Sequence, residues 1–198
     1  MMEKEKIKVL CHSHEGFNDI MRMNDWYSYA GNGVATISIC SPNDDDPVHW
    51  FKNYSRNLNL DFDDFDPSEY WNDDIDYNTI FDQFLKDGVG PRNDDIFMFS
   101  DQDTPTGFLK AMDIHDSIRL VRFINNSILA GVNTFYIHCS AGLSRSQGVV
   151  RYILDTYGDM FDIETNPDNP CLTPNYHVVR MLKRTDRSCL NPYTYYMR

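Results

Sequence analysis

Long apolar runs are missing from this chain. No stretch approaches the ~20 consecutive apolar residues of a membrane span. The opening MMEKEKIKVL has neither the apolar core nor the small-residue cleavage site of a secretory leader. Basic residues are scarce: 18 Lys and Arg stand against 30 Asp and Glu, a formal net charge of −12. Nucleic acid is therefore not an expected partner, because phosphate backbones are bound by basic surfaces. Anionic membranes are disfavoured for the same reason. A disulfide framework is lacking too. Cys11, Cys40, Cys139, Cys171 and Cys189 have no framework spacing, which suggests free thiols in a reducing compartment and a cytoplasmic location. Apolar content is not short: 41% of the 198 residues are hydrophobic and 14% aromatic, enough for a real core. With no linker and no internal repeat, the expectation is one domain over 1–198.

Strand and helix signals alternate. KIKVLCHS (6–13) and ATISICS (35–41) are rich in β-branched residues and read as strands, the second ending at the turn signal Ser41-Pro42-Asn43. Residues 15–30 read as a helix. IFMFS (96–100) reads as a strand, followed by a loop at 101–107. Residues 113–130 carry Ile114, Ile118, Val121, Ile124 and Ile128 on one face, with Asp113 as cap and Gly131 as stop. GVNTFYI (131–137) reads as a buried strand and SQGVVRYIL (146–154) as an apolar helix ending near Gly158. Thr173 and Pro174 read as the N-cap and first position of a last helix that buries Val178, Val179 and Leu182. This alternation predicts an α/β fold, a central mostly parallel sheet flanked by helices.

One region resists this reading. Residues 43–95 hold Asp61, Asp63, Asp64, Asp66, Glu69, Asp73, Asp74 and Asp76 with Phe62, Phe65, Tyr70, Trp71 and Tyr77 between them. The spacing lacks the central glycine and final glutamate of a calcium loop. A solvated acidic insertion, anchored to the core by its aromatics, is the expectation, with a short helix at 77–86.

The chemistry is concentrated in HCSAGLSRS (138–146). A strand, a tight loop of small residues and a helix start form an anion cradle, because loop amides converge and the helix N-terminus adds positive charge. The same field favours a thiolate, and such sites bring a thiol from ~8.5 to roughly 3.5–7.5. Six residues after Cys139, Arg145 offers a planar fork for two oxygens of a phosphoryl group. Of the five cysteines, only Cys139 has an arginine at that spacing.

The stretch resembles the motif His-Cys-x-x-Gly-x-x-Arg-Ser/Thr of the dual-specificity branch of the cysteine-dependent protein tyrosine phosphatases. The resemblance implies that fold, with the acidic 43–95 segment as an insertion. It implies Cys139 as nucleophile, Arg145 and the backbone of Ser140, Ala141, Gly142, Leu143 and Ser144 as the phosphate cradle, and Ser146 as the hydroxyl that steadies the leaving thiolate. His138 would hold the loop. No cofactor or metal is implied. The general acid would be an aspartate on a loop after a strand. FSDQDTP (99–105) offers Asp101 first and Asp103 as alternative, without the family's Trp-Pro. Asn175 is either a polar residue near the pocket or a helix cap. Cys11, His12 and His14 read as a strand end with incidental ligands, and Arg151 and Arg180 as surface or ion-paired arginines. The implied substrate is a phosphorylated protein or peptide, phosphotyrosine first, with phosphoserine and phosphothreonine left open. The competing readings are a phosphatase for a small non-protein ester and a non-catalytic phospho-binding module.

Overall fold

The computed structural model describes residues 4–23, 33–42, 56–67, 79, 98–100, 103, 107–167, 169, 171 and 173–187. Strands β1 (Lys6–Ser13), β2 (Val34–Cys40), β3 (Asn57–Asp61), β6 (Thr134–Cys139) and β7 (Asp162–Thr165) form a five-stranded sheet in the order β3-β2-β6-β1-β7, every pairing parallel. Parallel neighbours need crossovers. Helix α1 (His14–Met23) joins β1 to β2, α2 (Ile114–Leu129) precedes β6, α3 (Arg145–Tyr157) joins β6 to β7, and α4 (Tyr176–Thr185) follows β7. Two short strands, β4 (Met98–Ser100) and β5 (Phe108–Lys110), pair antiparallel beside them. The chain is an α/β protein. Among the described residues no helix is long and apolar enough to cross a membrane.

Burial is deepest in β2, where both faces are covered, while β1 and β3 alternate between buried and more exposed positions. β2 is buried at all seven positions. Side chains of β6 alternate: Phe135, Ile137 and Cys139 join the main core with residues of α2, α3 and α4, while Tyr136 packs with Phe17, Met21 and Val34 toward α1. On the main-core face of the neighbouring strand β1 lie Ile7, Val9 and Cys11. This alternation puts Cys11 and Cys139 on one face of adjacent strands.

Most expected elements are present with shifted ends. The helix expected over 15–30 is described over 14–23. Of 77–86, all but position 79 lies outside the described residues. The last helix differs in its start. Asn175, not Thr173, is the cap: its Oδ1 accepts from the Val178 amide at 3.1 Å. Thr173 is otherwise engaged, its hydroxyl donating to the Leu143 carbonyl at 2.7 Å, so the helix begins after Pro174 rather than at it. The acidic segment is more structured than expected. Its described part, 56–67, holds strand β3, where Leu58 and Leu60 are buried, and Phe62 is 1% exposed. Asp63 is buried, because its carboxylate accepts from the Lys110 amide at 2.8 Å while its own amide donates to the Lys110 carbonyl. Asp61 and Asp64 are exposed, as a solvated segment requires.

Candidate active site

The stretch 138–146 lies at the carboxyl end of β6, the middle strand, where open parallel sheets bind ligands. Cys139 ends the strand, residues 140–144 turn, and Arg145 opens α3. The turn needs Gly142. Its φ is +72°, and a Cβ there would lie 2.6 Å from the His12 carbonyl carbon and the Ser13 amide nitrogen. Both the left-handed conformation and the close approach of the β1 backbone exclude a side chain.

The carbonyls of this turn are held from outside. Ser140 O accepts from the His14 amide at 3.0 Å. Gly142 O accepts from Asn169 Nδ2 at 3.1 Å and from Gln147 Nε2 at 3.3 Å. Leu143 O takes the Thr173 hydroxyl, and Ser144 O takes the amides of Asn175 and Gly148. In a trans peptide the C=O and the next N–H point oppositely. Turning these carbonyls outward aims the amides of Ala141, Leu143, Ser144 and Arg145 inward.

Three side chains lie at the foot of the loop. Cys139 Sγ is 3.1 Å from Ser146 Oγ, both groups buried. Arg145 is 4% exposed and fixed by three hydrogen bonds: Nη2 donates to Ser140 Oγ at 2.8 Å, Nη1 to Phe62 O at 2.7 Å and to Ser41 Oγ at 3.1 Å. Its Nε is buried with no hydrogen-bond partner among the described residues, which is costly unless an acceptor is supplied. Behind the cysteine, His138 stacks on Phe17 at 4.2 Å between ring centroids, and its Nε2 is 2.8 Å from Ser38 Oγ. Burial, with His14 and His12 nearby, pushes its pKa down to about 3, so it is a neutral wedge that holds the strand end.

The candidates separate into three groups. Cys139, Arg145 and Ser146 come together, with residues 140–144 around them and His138 beneath. Asp101 lies outside the described residues. Asp103 is exposed in a turn. Asn175 both caps α4 and donates to Asp64 Oδ1 at 3.0 Å. The two arginines are ion-paired, Arg151 with Asp155 and Arg180 with Asp66.

Two residues were missed by sequence reasoning. Asp64 accepts the Ser144 hydroxyl at 2.6 Å, which places an exposed carboxylate on the loop itself. It stands three residues past the end of β3, on the segment whose Phe62 carbonyl grips Arg145. The alternation of Leu58 and Leu60 just before it was a readable strand signal, hidden by the acidic run that follows. Cys11 lies against the same site, with its Sγ 3.1 Å from Ser146 Oγ. Its register beside β6 is a tertiary fact with no local signal.

No protein-family model matches the chain. No curated protein matches it either. Among solved structures it is similar to the human tyrosine phosphatase-like serine/threonine/tyrosine-interacting protein, at 18% identity over 90% of this chain and 87% of that one, with a TM-score of 0.40. A likeness that faint says nothing about chemistry, which rests on the site's own geometry.

Proposed function

We propose that this chain is a cysteine-dependent phosphatase that hydrolyses phosphoprotein monoesters, phosphotyrosine first, through a cysteinyl-phosphate. One observation carries the reading. Cys139 and its Ser146 partner sit at the foot of a loop whose carbonyls face out, next to a buried Arg145 whose Nε has no partner among the described residues. Such a cradle suits a tetrahedral dianion and stabilises the charge that builds on its oxygens.

The Cys139 thiolate attacks phosphorus in line with the ester oxygen. The P–S bond forms as the P–O bond breaks, and the leaving oxygen takes a proton from an aspartic acid. Water then attacks the cysteinyl-phosphate, gives its proton to that carboxylate, and expels the thiolate toward the Ser146 hydroxyl. For the acid, Asp64 is our first choice, because its carboxylate is already tied to Ser144 on the loop. Asp101 and Asp103 follow it. The Cys139 chemistry itself needs no metal.

The test is hydrolysis of an aryl phosphate and of a phosphotyrosyl peptide, with chelator and reductant present. Cys139→Ser should cost roughly 10⁴-fold or more in kcat. Asp64→Asn should cost about 10²-fold on the peptide and much less on an aryl ester with an acidic phenol, which leaves unprotonated. A larger loss in Asp101→Asn or Asp103→Asn would move the acid to that residue. A folded wild type that binds vanadate without hydrolysing either ester would be a phospho-binding module. Hydrolysis confined to small esters would point to a non-protein substrate.

A further inference from the structure

We infer that Cys11 is a positioning residue for the nucleophile, acting through the Ser146 hydroxyl. The inference rests on the reading of Cys139 as the nucleophile. Cys11 is on β1 and Cys139 on β6, with Cys11 paired to Ile137 and Ser13 to Cys139. Both side chains join the main core, 3% and 2% exposed. Ser146, fully buried in the first turn of α3, puts its Oγ 3.1 Å from each sulfur.

Proton counting then fixes the direction of both bonds. A serine hydroxyl has one proton to give and lone pairs to receive with. A thiolate only accepts, so the Ser146 proton must go to Cys139. The lone pair on the other side needs a donor, and Cys11 S–H supplies it. That thiol keeps its proton, since burial first, with Cys139 adding to it, pushes it up to about 12. The one other acceptor within its reach among the described residues is Gly142 O at 3.3 Å. That carbonyl already accepts from Asn169 and Gln147. The thiol therefore locks the hydroxyl in the rotamer that aims its proton at the nucleophile. The opposite rotamer would give that proton to Cys11 and leave the Cys139 sulfur without it.

The arrangement is not a disulfide in waiting. Two residues of parallel register put the Cα atoms about 8 Å apart, beyond the ~7 Å that a disulfide tolerates.

The test does not need phosphatase activity. Alkylation of Cys139 by iodoacetamide is followed across pH by peptide mass spectrometry, in reductant-treated wild type, Cys11→Ala, Cys11→Val and Cys11→Ser. The other titratable or charged groups nearby, Cys171 acting on Cys11, Arg145 next to Ser146, and His138 with His12 and His14 around it, are unchanged in all four. Loss of the donor should move the alkylation midpoint of Cys139 up by about one pH unit, the worth of one hydrogen bond. Alanine and valine should both show it, although alanine leaves a cavity and valine fills the space. Serine, a donor again, should bring the midpoint back. An unchanged midpoint in whichever of the alanine and valine variants folds would overturn the inference. So would a serine variant that stays displaced, since packing alone would then explain the effect. If the wild type alkylates with this profile and still hydrolyses nothing, the proposed function fails and the Cys11 assignment stands.

Discussion

Helices α3 and α4 start side by side, joined by a hydrogen bond from the Asn175 amide to the Ser144 carbonyl at 3.1 Å. They start differently. Asn175 closes α4 with its own side chain, as Asp113 closes α2. At the head of α3, Ser144 is a residue type suited to capping, yet it makes no side-chain cap. Its hydroxyl goes to Asp64 instead. A helix start satisfied by its own side chain is finished as structure. One whose capping group is turned away keeps its amides and its positive end for something else. The difference separates α4, a support, from α3, the helix that would hold the substrate.

The largest break in that comparison is at Gly142. Gly142→Ala forces a Cβ against the β1 backbone at positive φ and should cost about 2–4 kcal/mol. It should also abolish the stabilisation that vanadate gives. Gly131 is the control, also at positive φ but with nothing within 4 Å of an added Cβ. Gly131→Ala should cost only about 1–2 kcal/mol and keep the vanadate response. Thermal melts with and without vanadate read both. Equal responses in the two variants would mean that the loop at α3 is not the anion site.

That contrast also marks what the sequence could tell. The strand-loop-helix of 134–157 was legible because its signals are local: small residues, a cysteine and arginine at fixed spacing, apolar runs on either side. The ends of α2 were legible for the same reason, since Asp113 and Gly131 act within one turn. What stayed hidden depends on partners far along the chain. β7 is a strand through its pairing with β1. Asp63 and Asp64 look alike in sequence, and only the approach of Lys110 to one and Ser144 to the other separates them. Of the two caps the sequence offered for α4, Asn175 is the one used, because Thr173 is drawn to the Leu143 carbonyl.

Acid should weaken both helix starts by a smaller and graded amount. His138 precedes the loop and His177 lies in the first turn of α4. Burial pushes them down to about 3 and about 4, and His12 is shifted the same way by burial. His138 and His177 are neutral when folded, while the unfolded chain takes up a proton on each below about pH 6.5. The unfolded state then binds more protons, so stability is full above pH 6.5 and falls as pH drops toward the folded values. At pH 5 the loss is at most about 2 kcal/mol for each of His138 and His177. His177 Nε2 lies 2.8 Å from Met112 O, a contact that an amide donor reproduces. His177→Gln should therefore flatten the melting temperature between pH 7 and pH 5 and keep vanadate binding. A fall as steep as in wild type would remove His177 from the account.

The smallest effects test the comparison most directly. Asn175→Ala removes a side-chain cap and should cost about 1 kcal/mol in urea unfolding. Ser144→Ala removes a hydroxyl that caps nothing, and its bond to Asp64 is an exposed one. It should cost no more than about 0.5 kcal/mol. Activity should rank them the other way on phosphotyrosyl peptide, since Ser144 holds the proposed acid by the shorter bond, 2.6 Å against 3.0 Å from Asn175. The double variant decides how Asp64 is held. If either bond alone can orient the carboxylate, losing both should lower kcat by more than the product of the single losses, because the two share one acceptor. Multiplicative losses would mean that Asp64 is positioned by its own backbone, through the buried Phe62 and Asp63 beside it.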